Sequence, residues 1–176
     1  CGMSWAWAQN TPFREFKSRV HEGGIATPLI AHWPKGIDPS RNGKWDRGVG
    51  HVIDIMATCV DVAGATYPKQ HNGKPVTPLQ GVSLKPTFAN QAIERDGMLY
   101  WEHQGNRAVR DGDWKLVAKG INNPWELYNL KADRTESSNL VESHPKQAKR
   151  LAEAWEDWAK RARVYPMPKF GAWKRK

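Results

Sequence analysis

Residues 25–33, Ile-Ala-Thr-Pro-Leu-Ile-Ala-His-Trp, form a nearly continuous apolar run. Such a run is the pattern of a strand covered on both faces in a parallel sheet. One strand cannot make a sheet alone. No partner strands of the same kind are evident in the 176 residues, so they are expected in chain beyond this sequence. Just ahead of the run stand Lys17, Glu22, Gly23 and Gly24, a cation and a glycine turn at the strand's entrance. A loop at a strand end of an open α/β sheet holds polar groups over a crevice, and paired glycines let backbone approach a bound group closely. An anion is the natural guest for Lys17.

The rest of the chain changes period twice. Residues 49–63 place Val52, Ile53, Ile55, Met56, Cys59, Val60 and Ala63 at mixed helical spacings before Gly64, which predicts a well-buried helix. Residues 66–97 carry Gly73-Lys-Pro75 and Thr77-Pro78 and read as a long surface connection. Residues 98–102, 107–110, 114–117 and 126–129 then read as short strands of an antiparallel sheet, with Asp111-Gly112 as a tight hairpin turn. After Pro145, Ala148, Leu151, Ala152, Trp155, Trp158, Ala159 and Ala162 recur at helical spacing, which predicts a helix laid on that sheet.

These segments together resemble one family. Lys17-x4-Glu22-Gly23-Gly24-x-x-x-Pro28 with the following apolar run and Trp33-Pro34 is similar to the sulfatases, formylglycine-dependent sulfate ester hydrolases of the alkaline phosphatase superfamily. His51-Val-Ile-Asp54-Ile-Met-Ala-Thr58, ending at Ala63-Gly64-Ala65, resembles the helix that follows in these enzymes. Gly105-Asn-Arg-Ala-Val-Arg110-Asp-Gly-Asp-Trp114-Lys-Leu-Val and Glu126-Leu-Tyr-Asn-Leu-Lys131-Ala-Asp133, with Glu136 and Asn139-Leu140, are similar to the family's C-terminal subdomain. The resemblance covers residues 9 to 164. It implies an α/β fold: residues 1–97 as the C-terminal end of an alkaline-phosphatase-like α/β sandwich, and 98–176 as a small antiparallel sheet with a C-terminal helix and a basic tail.

The family's nucleophile motif, Cys/Ser-x-Pro/Ala-x-Arg, is absent: neither Cys1 nor Cys59 fits it. Ile37-Asp-Pro39-Ser-Arg41 has isoleucine where the nucleophile belongs and reads as a surface turn. The paired aspartates and the Asp-Asn pair of the family's metal site are also missing. Formylglycine and the ligands of a calcium ion are therefore expected upstream, and the chain as the C-terminal portion of a sulfatase, inactive by itself. It begins at Cys1-Gly2 without an initiator Met or a leader, so a localisation signal is expected upstream, and family habit implies the periplasm or secretion.

The resemblance also assigns roles. Lys17 matches the lysine that contacts a sulfate oxygen, where an ammonium stabilises charge on the leaving ester oxygen. The alternative is a surface lysine paired with Glu15 or Glu22. Glu22 is expected to brace the loop, for example by accepting backbone hydrogen bonds, in preference to acting as a base. His21 either walls the substrate pocket or is a packed or solvated histidine. His103 and Arg107 flank Gly105-Asn106 at a strand end and either recognise the substrate beyond its sulfate or belong to a hairpin loop facing water. Trp5, Trp7 and Trp33 lie nearest the loop, one of them a candidate wall for an aromatic or sugar leaving group, whereas Trp114, Trp155 and Trp158 read as packing residues. His51 and Asp54 are three apart, but no further ligand cluster supports a metal site, and the resemblance implies a structural helix start.

Charge is local. The net is +9, and residues 145–176 carry ten Lys or Arg against three Asp or Glu. A polyanion-binding module is the rival reading of that end; a solvated helix face and a frayed terminus are the plainer one, and nucleic acid is not the expected partner. Two cysteines exclude a disulfide-rich scaffold, with a Cys1 to Cys59 bridge as a minor alternative. No apolar run approaches a membrane span. The expected substrate is a small-molecule or carbohydrate sulfate ester. The rival within the superfamily is a phosphate or phosphonate ester hydrolase.

Overall fold

The computed structural model describes residues 2–165. In chain order its elements are helices α1 (Met3–Asn10), α2 (Glu22–Ile25) and α3 (Ile53–Val62), strands β1 (Gln70–His71), β2 (Lys74–Pro75), β3 (Leu99–His103), β4 (Asn106–Asp111), β5 (Trp114–Ala118) and β6 (Glu126–Asn129), and helix α4 (Pro145–Arg161). The chain forms two units: residues up to Pro28 together with those from Gly97, and Leu29–Asp96. Residues up to Pro28 thus pack with the sheet, a different grouping from the 1–97 and 98–176 expected from sequence.

In the sheet unit, β3 to β6 pair consecutively and antiparallel. The β3–β4 turn has both central residues left-handed, Gln104 at φ 54° and Gly105 at φ 81°; the β4–β5 turn needs positive φ at Gly112. Directly opposed residues share a face. Tyr100, Val109, Leu116 and Leu127 are opposed in series on one face, and Trp101, Ala108, Val117 and Glu126 on the other.

The first face takes α4. Pro145 opens that helix at its first turn, and Lys160 and Arg161 in its last turn suit the negative end of the helix dipole. Ala148, Leu151, Trp155 and Ala159 are buried against Val109, Leu116 and Leu127. Burying a side chain of this size contributes about 1.5–3 kcal/mol. Trp158 packs at the margin, stacked on Tyr100 at 5.1 Å, and Ala162 lies past the helix end. The second face is covered by the segment before Pro28: Val20 packs with Ala108, Val117, Tyr128 and Leu130.

In the other unit, α3 is held by buried Asp54. Its carboxylate accepts from the backbone N–H of His51 (2.7 Å) and Val82 (3.0 Å) and pairs with Arg95 at 2.5 Å. His51 and Asp54 therefore form a helix start, not half of a metal site; burial and Arg95 hold the His51 pKa below its ordinary value against the pull of Asp54. Asp38 accepts from the backbone N–H of Ser40 across the surface turn at Pro39–Arg41.

Two expectations are corrected here. The helix over 49–63 is shorter and not well buried: only Asp54 and Ala57 are buried within α3, whereas Ile55, Met56 and Cys59 are exposed. Residues 26–33 form no strand, and Leu29 and Ile30 are 64% and 88% exposed. Among the described residues no strand offers this run a ladder of backbone partners, and without one an extended apolar segment stays open. The rest of the basic tail lies outside the described residues, as does Cys1. Among the described residues no helix is long and apolar enough to cross a membrane.

Leu151→Ala is expected to lower the unfolding free energy by about 3 kcal/mol through transfer and cavity terms. Trp45→Ala, at a site 81% exposed, should change it by less than about 0.5 kcal/mol. Urea titration of both variants checks the assignment of the core.

Candidate active-site loop

Residues 13–25 fold back on themselves before they meet the sheet. Gly23 N–H donates to Arg14 O and Gly24 N–H to His21 O, both at 2.8 Å, and Arg19 N–H to Phe16 O at 3.0 Å. A Cβ at Gly23 would stand 2.2 Å from Glu15 O, and one at Gly24 2.1 Å from Arg19 O. The two glycines therefore serve the loop's own close packing. Glu15 (φ 65°) and Ser18 (φ 77°) are left-handed and bracket Phe16 and Lys17. Such conformations cost roughly 1–3 kcal/mol each and persist only where the surroundings over-determine them.

The surroundings here are ionic. Lys115 of β5 is fully buried, its Nζ 2.9 Å from Glu22 Oε1 and 2.8 Å from Glu136 Oε1, and both carboxylates are themselves buried. Glu136, left-handed at φ 56°, also accepts the Glu22 backbone N–H at 2.8 Å. Arg134 Nε lies 3.6 Å from the second oxygen of Glu22. Glu22 thus braces the loop, but through cationic side chains in place of the expected backbone donors.

Further contacts hold the other end. Arg14 Nη1 donates to Glu126 Oε2 and to Tyr128 Oη, both at 2.7 Å, and Glu15 pairs with Lys119 at 2.9 Å. Buried Asn106 satisfies all of its amide: Nδ2 donates to Ser18 O and His103 O, and Oδ1 accepts from Arg19 and from Gly120 N–H. Burial works to raise the Glu126 pKa, but hydrogen bonds from His21 and Tyr128 and the charges of His21 and Arg14 hold it at about 2. Burial and the bond to Glu126 push Tyr128 well above the ordinary phenol value.

Lys17 itself is exposed. Its two candidate neutralising partners are engaged elsewhere, Glu15 with Lys119 and Arg19 and Glu22 with Lys115 and Arg134, so among the described residues Lys17 has no ion-pair partner. His21 is fully buried, with Nε2 3.4 Å from Glu126, which matches the packed histidine among the alternatives. His103 and Arg107 point to opposite faces by strand alternation. His103 is exposed on the loop-bearing face. Arg107 is on the helix face, its guanidinium 4.3 Å over the Trp125 ring and donating to Asn123 O. Trp7 lines an open groove of about 860 Å³ together with Phe13, Arg14, Glu126 and Tyr128.

Sequence reasoning missed Lys115, Arg14, Asn106 and the roles of Glu126 and Glu136. A signal for Lys115 was present: alternation puts it on the same face as Val117, and a lysine among apolar neighbours requires buried anions.

Residues 13–161 match the family model described as N-sulphoglucosamine sulphohydrolase, C-terminal. An uncharacterized sulfatase of Schizosaccharomyces pombe is 33% identical over 160 residues, covering 88% of this chain and 28% of that protein. The N-acetylglucosamine-6-O-sulfatase of Bacteroides thetaiotaomicron is 29% identical over 159 residues, covering 82% and 26%. The crystal structure of Ps i-CgsB superposes with a TM-score of 0.68 at 25% identity, covering 85% of this chain and 32% of that one. The chain therefore spans less than a third of the length of these proteins.

Gly23→Ala is expected to destabilise the chain by about 3 kcal/mol, since its Cβ would meet backbone and not a flexible side chain; thermal unfolding reads this directly. Glu126 is depressed from 4.5 to about 2, so its stabilisation is complete above about pH 4.5 and is lost as the pH falls towards 2. Glu126→Gln should flatten the fall of melting temperature across that window.

Proposed function

This chain belongs to the N-sulphoglucosamine sulphohydrolase C-terminal family, and we propose that it serves a sulfatase that hydrolyses sulfate esters of carbohydrates, to which it contributes Lys17. The observation that carries this reading is an exposed ammonium, without an ion-pair partner among the described residues, between two left-handed residues on a loop whose own carboxylates are already engaged. Strain held in place by its surroundings is a mark of functional sites, and a cation without a partner is open to an anionic substrate.

In this reading the Lys17 ammonium contacts a sulfate oxygen. As the bond between sulfur and the ester oxygen lengthens, negative charge grows on the departing oxygen, and a fixed cation beside it stabilises that charge more than it stabilises the intact ester. His103, exposed on the loop-bearing face, remains a candidate for contact with the sugar beyond the sulfate. Arg107, turned to the helix face, is not assigned a substrate contact in this reading. The names of relatives support a carbohydrate ester: N-acetylglucosamine-6-O-sulfatase in Bacteroides thetaiotaomicron and N-acetylgalactosamine-6-sulfatase in mouse.

The reading assigns the nucleophile, a formylglycine hydrate, and the calcium ion to chain outside these residues. Among the described residues no group of three or more His, Cys, Asp or Glu is placed to hold a metal ion, so the residues here do not fit calcium.

In the full-length enzyme, Lys17→Ala is expected to lower kcat/KM for a 6-sulfated N-acetylhexosamine by about 10²–10³-fold, with an unchanged melting temperature because the side chain is exposed. Unchanged turnover would remove Lys17 from the site. Preference for the matching phosphate ester would move the chemistry to the phosphoryl relatives.

A further inference from the structure

We propose that Lys115, fully buried under the loop, is the positioning residue that sets where the Lys17 ammonium stands; the proposal rests on the reading of Lys17 given above. Among the described residues Lys17 has no ion-pair partner, so its place is inherited from the backbone of its loop. That backbone is one body: Gly23 and Gly24 tie the stretch around Glu22 to Arg14 and His21, and pack it on the carbonyls of Glu15 and Arg19. Glu22 is therefore the handle by which the loop is held.

The buried hand that holds it is the Lys115 ammonium, while Arg134, 57% exposed, stands 3.6 Å from the other Glu22 oxygen. Lys115 Nζ stands 2.9 Å from Glu22 Oε1 and 2.8 Å from Glu136 Oε1, with side-chain exposures of 0%, 4% and 0% for Lys115, Glu22 and Glu136. Glu136 closes the triangle by accepting the Glu22 backbone N–H. The other charged anchors are more open to water: Lys119 is 44% exposed and Arg14 38%. Water and salt screen those pairs far more than the buried one. Stability alone is a poor reason for such a group, because apolar residues of equal volume often serve as well or better. Direction is the better reason: one nitrogen on a rigid strand fixes two carboxylates, and with them the seat of the loop on the sheet.

The test is made in the full-length enzyme with 4-nitrophenyl sulfate as the probe. Lys115→Met alone strands two carboxylates in the core, so the variant to use is Lys115→Met with Glu22→Gln and Glu136→Gln, which keeps volume and removes all three charges. Amide hydrogen exchange over residues 14–24 should quicken at least about tenfold, while exchange in β4 and β5 is unchanged. The kcat/KM should fall by about 10–100-fold, the scale on which a displacement near 1 Å acts. Placed on Lys17→Ala, the same three substitutions should cause no further loss, since there is no ammonium left to misplace. Equal losses in both backgrounds would show a merely structural role and overturn the proposal, as would unchanged loop exchange. If Lys17→Ala is itself silent, the reading of Lys17 falls and the proposal with it; if Lys17→Ala is damaging and the losses are additive, the proposal alone falls. Glu22→Gln, which leaves Lys115 paired with Glu136, gives the same pattern at smaller size and decides the matter should the triple variant not fold.

Discussion

The ammonium of Lys115 under the loop is the contact on which the sheet unit turns. Taking an ion out of water costs several kcal/mol, and the cost is offset only if every partner is in place and well aligned. Three positions far apart in the chain, 22, 115 and 136, are thereby made conditional on one another. With one carboxylate gone, the ammonium loses half of its compensation. With the ammonium gone, two carboxylates face each other in a dry interior, a loss on the order of 3–5 kcal/mol.

Around that point the sheet divides its two faces by chemistry. One is apolar and takes α4 through Leu151 and Trp155. The other takes the Lys17 loop through ion pairs, the hydrogen bonds of Asn106 with Ser18 O and Arg19, and the packing of Val20. Apolar packing is tolerant of small shifts, whereas charged and hydrogen-bonded contacts are directional. The loop is thus seated by the contacts that specify position best, on a scaffold stabilised by contacts that bury the most area. The left-handed Glu15 and Ser18 can persist because that seat does not yield.

Much of this was legible in the residues. The four strands and α4 follow from period, because one face of each has a single consistent burial; Pro145 and Gly112 mark their boundaries by backbone chemistry. What escaped had other causes. Lys115 sits in a pattern that marks its face, but nothing local announces which carboxylates, 93 residues before and 21 after in the chain, will meet it. His103 and Arg107 read as neighbours along the chain, and alternation separates them across the sheet. The glycines after Glu22 pointed to an unusual backbone, yet only the fold shows that Glu15 and Arg19 are what they accommodate. Residues 26–33 have the composition of a strand, but a strand is a property of the neighbours as much as of the segment.

The unit that holds the loop is not continuous in sequence: its first part ends at Pro28 and it resumes at Gly97, with the whole of Leu29–Asp96 between. The loop and its floor are joined by a closure of roughly ninety residues, whose entropic cost grows only slowly with length but must be met before any ion pair forms. On a ribosome, Lys17 therefore emerges well ahead of the strand and the turn that will seat it. A nascent chain stopped anywhere before Glu136 carries the loop without its full seat, so the loop is fixed only once the C-terminal region is complete.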